Sequence, residues 1–505
     1  MKFDIAEKEF TWLAEEKPVI IQLLAKVEAT CSPLELYASL DKKCSYLLES
    51  VEKEKKHARF SFVGAEPDAV VTIRNRRLTL DYAQRTGMIK FIEASLSEVC
   101  DFENNVFAIK EGFDTMDALR AAFAASGVKY IGRGFDRQTF LGGAIGFCAY
   151  DMVYDCWLDI EAKKSTTPDA QFALTTETVV FDHLTDNTYI AMTPFVLEEP
   201  PEDVYRKALE DAGKLASIIS SAKPLTVKKN KPSQTKCNML KDEYEDAVRK
   251  AKKHIIDGDI FQVVLSRKYE VTTKQTPLEL YTALREVNPS PYMYLFEFNG
   301  IGIIGASPET LLSVHKRKVI INPIAGTCPR GKSPEEDEEF AKEMLGSEKE
   351  RAEHVMLVDL GRNDVRMVSK GGTVKVDDFM SVLKYSHVQH IESTVSGLLR
   401  EECDAFDATR AIFPAGTLSG APKIRAMEII HELEKDARGI YGGGVGYYSW
   451  NGDADFAIVI RTIIKNGNKA AVQAGAGIVA DSDPEYEYNE TERKMAAMIK
   501  AIGGA

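Results

Sequence analysis

At 505 residues, with 44% hydrophobic and 28% charged side chains, the chain has a globular composition and exceeds one ordinary hydrophobic core. Its formal net charge of −13 argues against a nucleic-acid partner, which calls for a basic face. No apolar run reaches the roughly eighteen residues of a membrane span, and the start MKFDIAEKEFTW lacks the apolar core of an export signal.

Before residue 222, segments 70–74, 178–182 and 188–192 are rich in β-branched and aromatic residues and predict strands, whereas 203–221 predicts a helix. Residues 222–239 are rich in Lys, Pro, Ser and Thr and read as a linker. It divides an N-terminal region, 1–221, from a second region, 240–505. In the second region helices are expected at 241–257, 335–346, 349–360, 405–412, 422–433 and 487–502. Short apolar runs predict strands at 260–266, 292–298, 301–304, 319–322, 444–448 and 456–460. Strands and helices come in runs rather than in βαβ alternation. That favours an α+β fold with large mixed or antiparallel sheets in a sandwich and helices packed outside. Eight cysteines, none in a C-x-x-C pair, predict free thiols, no zinc and a cytoplasmic location.

Two acidic segments stand out, ERAEH at 350–354 and EYEYNETERK at 485–494. Each repeats a carboxylate at a spacing of three, which on a helix shares one face. An acidic pair at that spacing is more often a solvated face, and the charge-dense stretch 333–351 reads that way apart from its last turn. Glu353 and Glu490, brought together from two helices, would instead seat a hard divalent ion such as Mg²⁺ beside an anionic substrate. Glycine-rich stretches at 323–327, 442–444 and 473–477 let backbone N–H groups approach a carboxylate.

Four longer strings carry a family resemblance: PIAGTCPRG at 323–331, ERAEHVMLVDLGRND at 350–364, FPAGTLSGAPK at 413–423 and QAGAGIVAD at 473–481. Together they resemble the chorismate-utilising enzymes over roughly 240–502, and within them the anthranilate synthase component I branch. Three positions carry that choice. Where aminodeoxychorismate synthases carry a lysine that attacks chorismate covalently, this chain has Ala325, which offers no nucleophile. Where isochorismate and salicylate synthases carry a water-activating lysine, it has Gln262, which is no base near neutral pH. His390, in YSHVQH, matches the histidine the branch uses to expel pyruvate.

The resemblance implies conversion of chorismate and ammonia to anthranilate and pyruvate, the first committed step of tryptophan biosynthesis. Glu309 in SPE would be the acid for the C4 hydroxyl, and Thr417, Gly326 and Thr327 would line the ring. Tyr441, Arg461 and the N–H groups of Gly475, Ala476 and Gly477 would hold the enolpyruvyl carboxylate, with Lys494 adding positive charge. Mg²⁺ would rest on Glu353 and Glu490, with Glu350 and Glu487 as second candidates. YLLES at 46–50 and NPSPYM at 288–293 resemble the two halves of a tryptophan inhibitor site, implying Glu49, Ser50, Pro291, Tyr292 and Met293 as its contacts. No Cys-His-Glu amidotransferase region is apparent. A separate glutamine amidotransferase, component II, is therefore the implied partner, in a heterotetramer. Departures from the pattern are Cys328, in place of a common Arg, and Val365-Arg366 after the RND string. A reading of a different class, a tryptophan-sensing subunit with a silent catalytic site, expects damaged catalytic residues, and Glu309, Glu353, His390, Arg461 and Glu490 are all present.

Overall fold

The computed structural model describes residues 1–40, 43–51, 59–123, 127–158, 160–225, 234–385 and 388–503. Among these, two large sheets of 13 and 12 strands carry the fold, with a third of 3 strands at one side. Every pairing in the two large sheets is antiparallel; the parallel pair, Val19–Ile21 with Lys129–Ile131, lies in the small one. An interior of aromatic and aliphatic side chains from both sheets, including Phe62, Phe140, Phe147, Tyr294, Phe296 and Tyr447, fills the space between them. Helices cover the outside, so the expected α+β sandwich is what forms.

Residues 1–221 and 240–505 contribute strands to both large sheets. In the first sheet Gly143–Cys148 pairs with Ala170–Thr175 on one side and Gly444–Ser449 on the other. In the second, Cys44–Glu49 pairs with Tyr292–Phe298. The expected linker at 222–239 is only partly one: Gln234–Cys237 form an edge strand of the second sheet, held by pairing with Tyr269–Thr272, while residues 226–233 lie outside the described residues.

Local sequence sets the helices that matter for the site. Asp483 accepts the Tyr486 N–H and Pro484 opens the helix Pro484–Ala501, whose inward face carries Glu487, Thr491, Met495 and Met498. Ser347 caps Glu348–Arg366, which buries His354, Leu357, Val358, Gly361, Asp364 and Val365 at helical spacing. The preceding helix, Pro334–Gly346, is largely solvated as expected, but its Asp337 is buried and gripped by Arg330 through Nε at 3.0 Å and Nη2 at 2.6 Å. Among the described residues no helix is long and apolar enough to cross a membrane.

Two connections decide where the site forms. Glu309 lies between Ile301–Ser307 of the second sheet and Thr310–His315 of the first, where the chain steps from one sheet to the other. Arg461 lies between Ala454–Ile458 and Thr462–Asn466, a second step between the same two sheets. The crossings are laced together: the Ile458 N–H donates to the Glu309 carbonyl at 3.0 Å and the Ala306 N–H to the Arg461 carbonyl at 3.2 Å. Arg461 holds a left-handed backbone, φ 50°, a strained conformation for a non-glycine residue.

Candidate active site

Glu309 is buried, and the Thr417 hydroxyl donates to its Oε1 at 3.0 Å. Thr417 stands on the short turn Gly416–Leu418. Burial pushes the Glu309 carboxyl up to about 8, against the opposing pull of the Thr417 hydrogen bond and of Arg461 and Lys494. The carboxyl is therefore protonated at neutral pH and poised to donate.

His390 lies on Val388–Leu398, which pairs with Ile324–Pro329. A bulge between Ala325 and Cys328 breaks that pairing and turns Gly326 and Thr327 toward the imidazole. Gly326 has φ 64°, a region that favours glycine; its carbonyl accepts from His390 Nδ1 at 2.8 Å, and Thr327 Oγ1 lies 3.1 Å from the same nitrogen. Burial, then Arg461 and Lys494, hold the imidazole down to about 4 despite the Gly326 hydrogen bond. Tyr385 packs edge-on at 5.6 Å.

Gly475, Ala476 and Gly477 lie on Lys469–Ile478, paired with Gln262–Thr272 in the register Ser266↔Gly475, Leu265↔Ala476 and Val264↔Gly477. The Val264 N–H goes to the Ser419 carbonyl and the Ser266 N–H to Glu434, both away from this neighbour. By the alternation of an antiparallel ladder, Leu265 and Ala476 form the hydrogen-bonded pair, and Gly475 and Gly477 turn their N–H groups outward, that of Gly475 toward the Tyr441 oxygen. The other neighbour, Thr462–Asn466, reaches only to Val472, so that edge is free of a strand. This corrects one expectation: the Ala476 N–H is used within the sheet and does not serve a ligand. A Cβ on Gly475 would stand 3.0 Å from the Tyr441 hydroxyl, and one on Gly477 only 2.6 Å from Gln262 Nε2. Gln262 is buried and its Oε1 has no partner among the described residues.

Glu353 and Glu490 are brought together from the two capped helices. Burial raises the Glu353 carboxyl above its ordinary value, and repulsion from Glu350 and Glu490 adds to it. Glu487 is likewise raised, by burial and by Glu490 against a Ser482 hydrogen bond. Lys494, expected to add positive charge, is paired: its Nζ lies 2.6 Å from Glu490 and donates to the Gly475 carbonyl at 3.0 Å. It thereby joins the acidic cluster to the glycine edge. Among the described residues no three carboxylate, imidazole or thiol groups form a closed metal site. Two mutually repelling carboxylates beside the open glycine edge nonetheless fit Mg²⁺, which takes one or two protein carboxylates and completes its shell with water and substrate oxygens.

A cavity of about 400 Å³ lies elsewhere, between the sheets. Glu49, Ser50, Pro291, Tyr292 and Met293 all line it. Glu49 is held by the Tyr281 hydroxyl at 2.6 Å and Arg285 Nε at 3.1 Å. Pro308, Tyr385 and Glu392 form its wall toward the Glu309–His390 cluster.

Residues 88–500 match the chorismate binding enzyme family. The chain is 48% identical to anthranilate synthase component 1 2 of Haloarcula marismortui, over 99% of this chain and 96% of that one. It is 45% identical to anthranilate synthase component 1 of Thermococcus kodakarensis, over 93% and 97%. The chain belongs to the anthranilate synthase component I family. A crystal structure of component I from Streptococcus pneumoniae superposes with a TM-score of 0.70 at 33% identity, over 93% of this chain and 97% of that one. The isochorismate synthase MenF of Escherichia coli, 18% identical with a TM-score of 0.68 over 98% and 99% of the two chains, shares the fold.

For this family member the structure also places groups that sequence reasoning passed over. Glu392 faces Glu309 and Tyr385 packs on His390. In the cavity, Asp455 accepts from the Tyr292 hydroxyl at 3.1 Å, and burial pushes its carboxyl up to about 7. An acidic residue in the apolar run ADFAIVI was the available signal.

Proposed function

We propose that this chain is the aminase subunit of an anthranilate synthase, turning chorismate and ammonia into anthranilate, pyruvate and water. The observation that carries the reading is a buried acid, Glu309, and a neutral imidazole, His390, that both face the same two cations, Arg461 and Lys494. Arg461 and the Gly475 and Gly477 N–H groups stand beside them to hold a carboxylate. Neither Ala325 nor Gln262 supplies the covalent lysine or the water-activating base of other chorismate chemistries.

In this mechanism ammonia bonds to C2, the ring double bonds shift, and the C4 oxygen leaves as water with the proton of Glu309. His390 Nε2 then takes the C2 hydrogen as the C3–O bond breaks, and enolpyruvate departs to become pyruvate; aromatisation drives the step. Thr417 orients the Glu309 carboxyl, while Thr327 and the Gly326 carbonyl orient His390. Mg²⁺ held by Glu353 and Glu490, with Glu350 and Glu487 beside them, would neutralise the ring carboxylate and favour electron flow toward it.

Ammonia is supplied by a glutamine amidotransferase partner, a reading supported by the component 1 designation of the relatives. The cavity lined by Glu49, Ser50, Pro291, Tyr292 and Met293 is the inhibitor site, of a size suited to tryptophan. The deciding experiment incubates the purified chain with chorismate, Mg²⁺ and excess ammonium at mildly alkaline pH. Fluorescent anthranilate with equimolar pyruvate is expected; untouched chorismate, or isochorismate alone, overturns the reading.

A further inference from the structure

Arg438 and Glu434 follow the helix Lys423–Leu433, and neither belongs to the open site. Arg438 is 5% exposed and Glu434 6%. The guanidinium spends its donors on three segments. Nε and Nη2 bind the Glu434 carboxylate at 2.9 and 2.6 Å, Nη1 donates to the Leu418 carbonyl at 2.6 Å, and Nη2 to the Val264 carbonyl at 2.7 Å. Its Cζ lies 4.5 Å from the Tyr150 ring centroid and 5.8 Å from that of Tyr441. Glu434 Oε1 in turn accepts the Ser266 N–H at 2.7 Å and hydroxyl at 2.9 Å.

A buried ion pair is weak evidence for stability, since apolar groups of equal volume often serve as well. What distinguishes this one is where its hydrogen bonds end. Leu418 follows Thr417, whose hydroxyl meets the Glu309 carboxyl. Val264 and Ser266 oppose Gly477 and Gly475 in the ladder, and Tyr441 abuts Gly475. One planar cation with fixed donor directions thereby ties the acid-orienting turn to the carboxylate-binding edge.

We propose that Arg438, oriented by Glu434, is a positioning residue that sets the distance between Glu309 and the Gly475–Gly477 edge by clamping the Thr417 turn, the Gln262–Thr272 strand and Tyr441. This inference rests on the anthranilate-forming reading. A lysine in its place keeps the charge and loses the fork, so the turn drifts while the ion pair persists. A displacement of about 1 Å at a reacting group lowers a rate on the order of 10²-fold.

The test compares Arg438→Lys, Glu434→Gln and Thr417→Val with the parent, all in the full chain with excess ammonium at fixed free ammonia. For Arg438→Lys, kcat is expected to fall on the order of 10²-fold with little change in melting temperature. The alkaline limb of kcat/KM should move to higher pH, because Glu309 loses the Thr417 donation while Arg461, Lys494 and Glu392, the other charged groups facing it, stay in place. In the Thr417→Val background Arg438→Lys should lower the rate little further. Glu434→Gln, the milder change, should move the limb in the same direction. Infrared titration of the Glu309 carboxyl, assigned with Glu309→Gln, reads the same shift without turnover; it decides this inference even where the parent makes no anthranilate, which would sink only the functional reading. An unmoved limb and carboxyl band, fully additive losses, or a rate that merely follows the folded fraction overturns the positioning role.

Discussion

His390 donates its Nδ1–H to the carbonyl of Gly326 at 2.8 Å. A carbonyl only accepts, so the neutral ring carries its hydrogen on Nδ1 and leaves the Nε2 lone pair bare. With the imidazole held down to about 4, that lone pair is present throughout the neutral range. Replacing His390 with Ala should slow anthranilate release by roughly 10²–10⁴-fold, the usual worth of a positioned proton-transfer group. The aminated ring, still bearing its pyruvyl group, should accumulate in chromatographic analysis. Undiminished anthranilate would remove His390 from the mechanism.

In the proposed mechanism Glu309 is the acid and must be protonated to act. Its carboxyl is raised to about 8, so the protonated form predominates below that pH and is lost as pH rises through it. At constant free ammonia, kcat/KM should therefore have an alkaline limb near pH 8. Thr417→Val removes a hydrogen bond that favours the carboxylate and should shift the limb upward, whereas Glu309→Gln should lower turnover by about 10²–10⁴-fold at every pH. A limb that stays put in Thr417→Val would mean another group is titrating.

Glu490 repels both Glu353 and Glu487, and Glu350 repels Glu353, across two helices. Binding of Mg²⁺ should relieve that repulsion, so the melting temperature should rise with Mg²⁺ and activity should vanish in EDTA and return on adding Mg²⁺ back. Glu353→Gln should abolish both responses while leaving the metal-free melting temperature unchanged or higher. Full activity of Glu353→Gln would refute the metal assignment.

The 400 Å³ cavity between the sheets predicts separable regulation. Ser50→Leu narrows it without touching Glu309 or His390. Inhibition by tryptophan should weaken at least tenfold, and kcat should stay within about twofold, since surface and cavity-rim changes away from a site usually shift energies by less than about 0.5 kcal/mol. Calorimetry with tryptophan gives the matching loss of binding. If Ser50→Leu retains full tryptophan sensitivity, the inhibitor binds elsewhere.

Much of the fold was legible because its elements carry strong local signals. The strands Glu177–Asp182 and Asn187–Met192 and the helix Ala405–Ile412 fall where β-branched runs and capped apolar spacing put them. The expected strand at 260–266 begins at Gln262 and runs on to Thr272, because pairing with Lys469–Ile478 continues past the apolar run. Two strands beside the site gave no such signal. Val388–Leu398 buries Gln389 and Ser393 on the same face as Ile391 and Val395, so polar residues interrupt the apolar alternation that would have marked the strand. Lys469–Ile478 is built of Ala and Gly, weak strand formers, and takes its conformation from its neighbour. The acidic segments, the SPE string and His390 were readable as motifs, while the commitment of the Ala476 N–H to the ladder and the pairing of Lys494 with Glu490 were not.

The sequence by itself determined the family, the two acidic helices and the candidates for the acid, the imidazole and the carboxylate cluster, because motif strings and helix signals are local. Only the tertiary structure decided that Glu309 and Arg461 meet, since they lie about 150 residues apart on separate steps between two sheets and are joined by hydrogen bonds that no local pattern encodes. It also decided the charge states. Protonated Glu309 and neutral His390 follow from burial among chain segments drawn from both sheets, and the desolvation that sets them exists only once those segments pack.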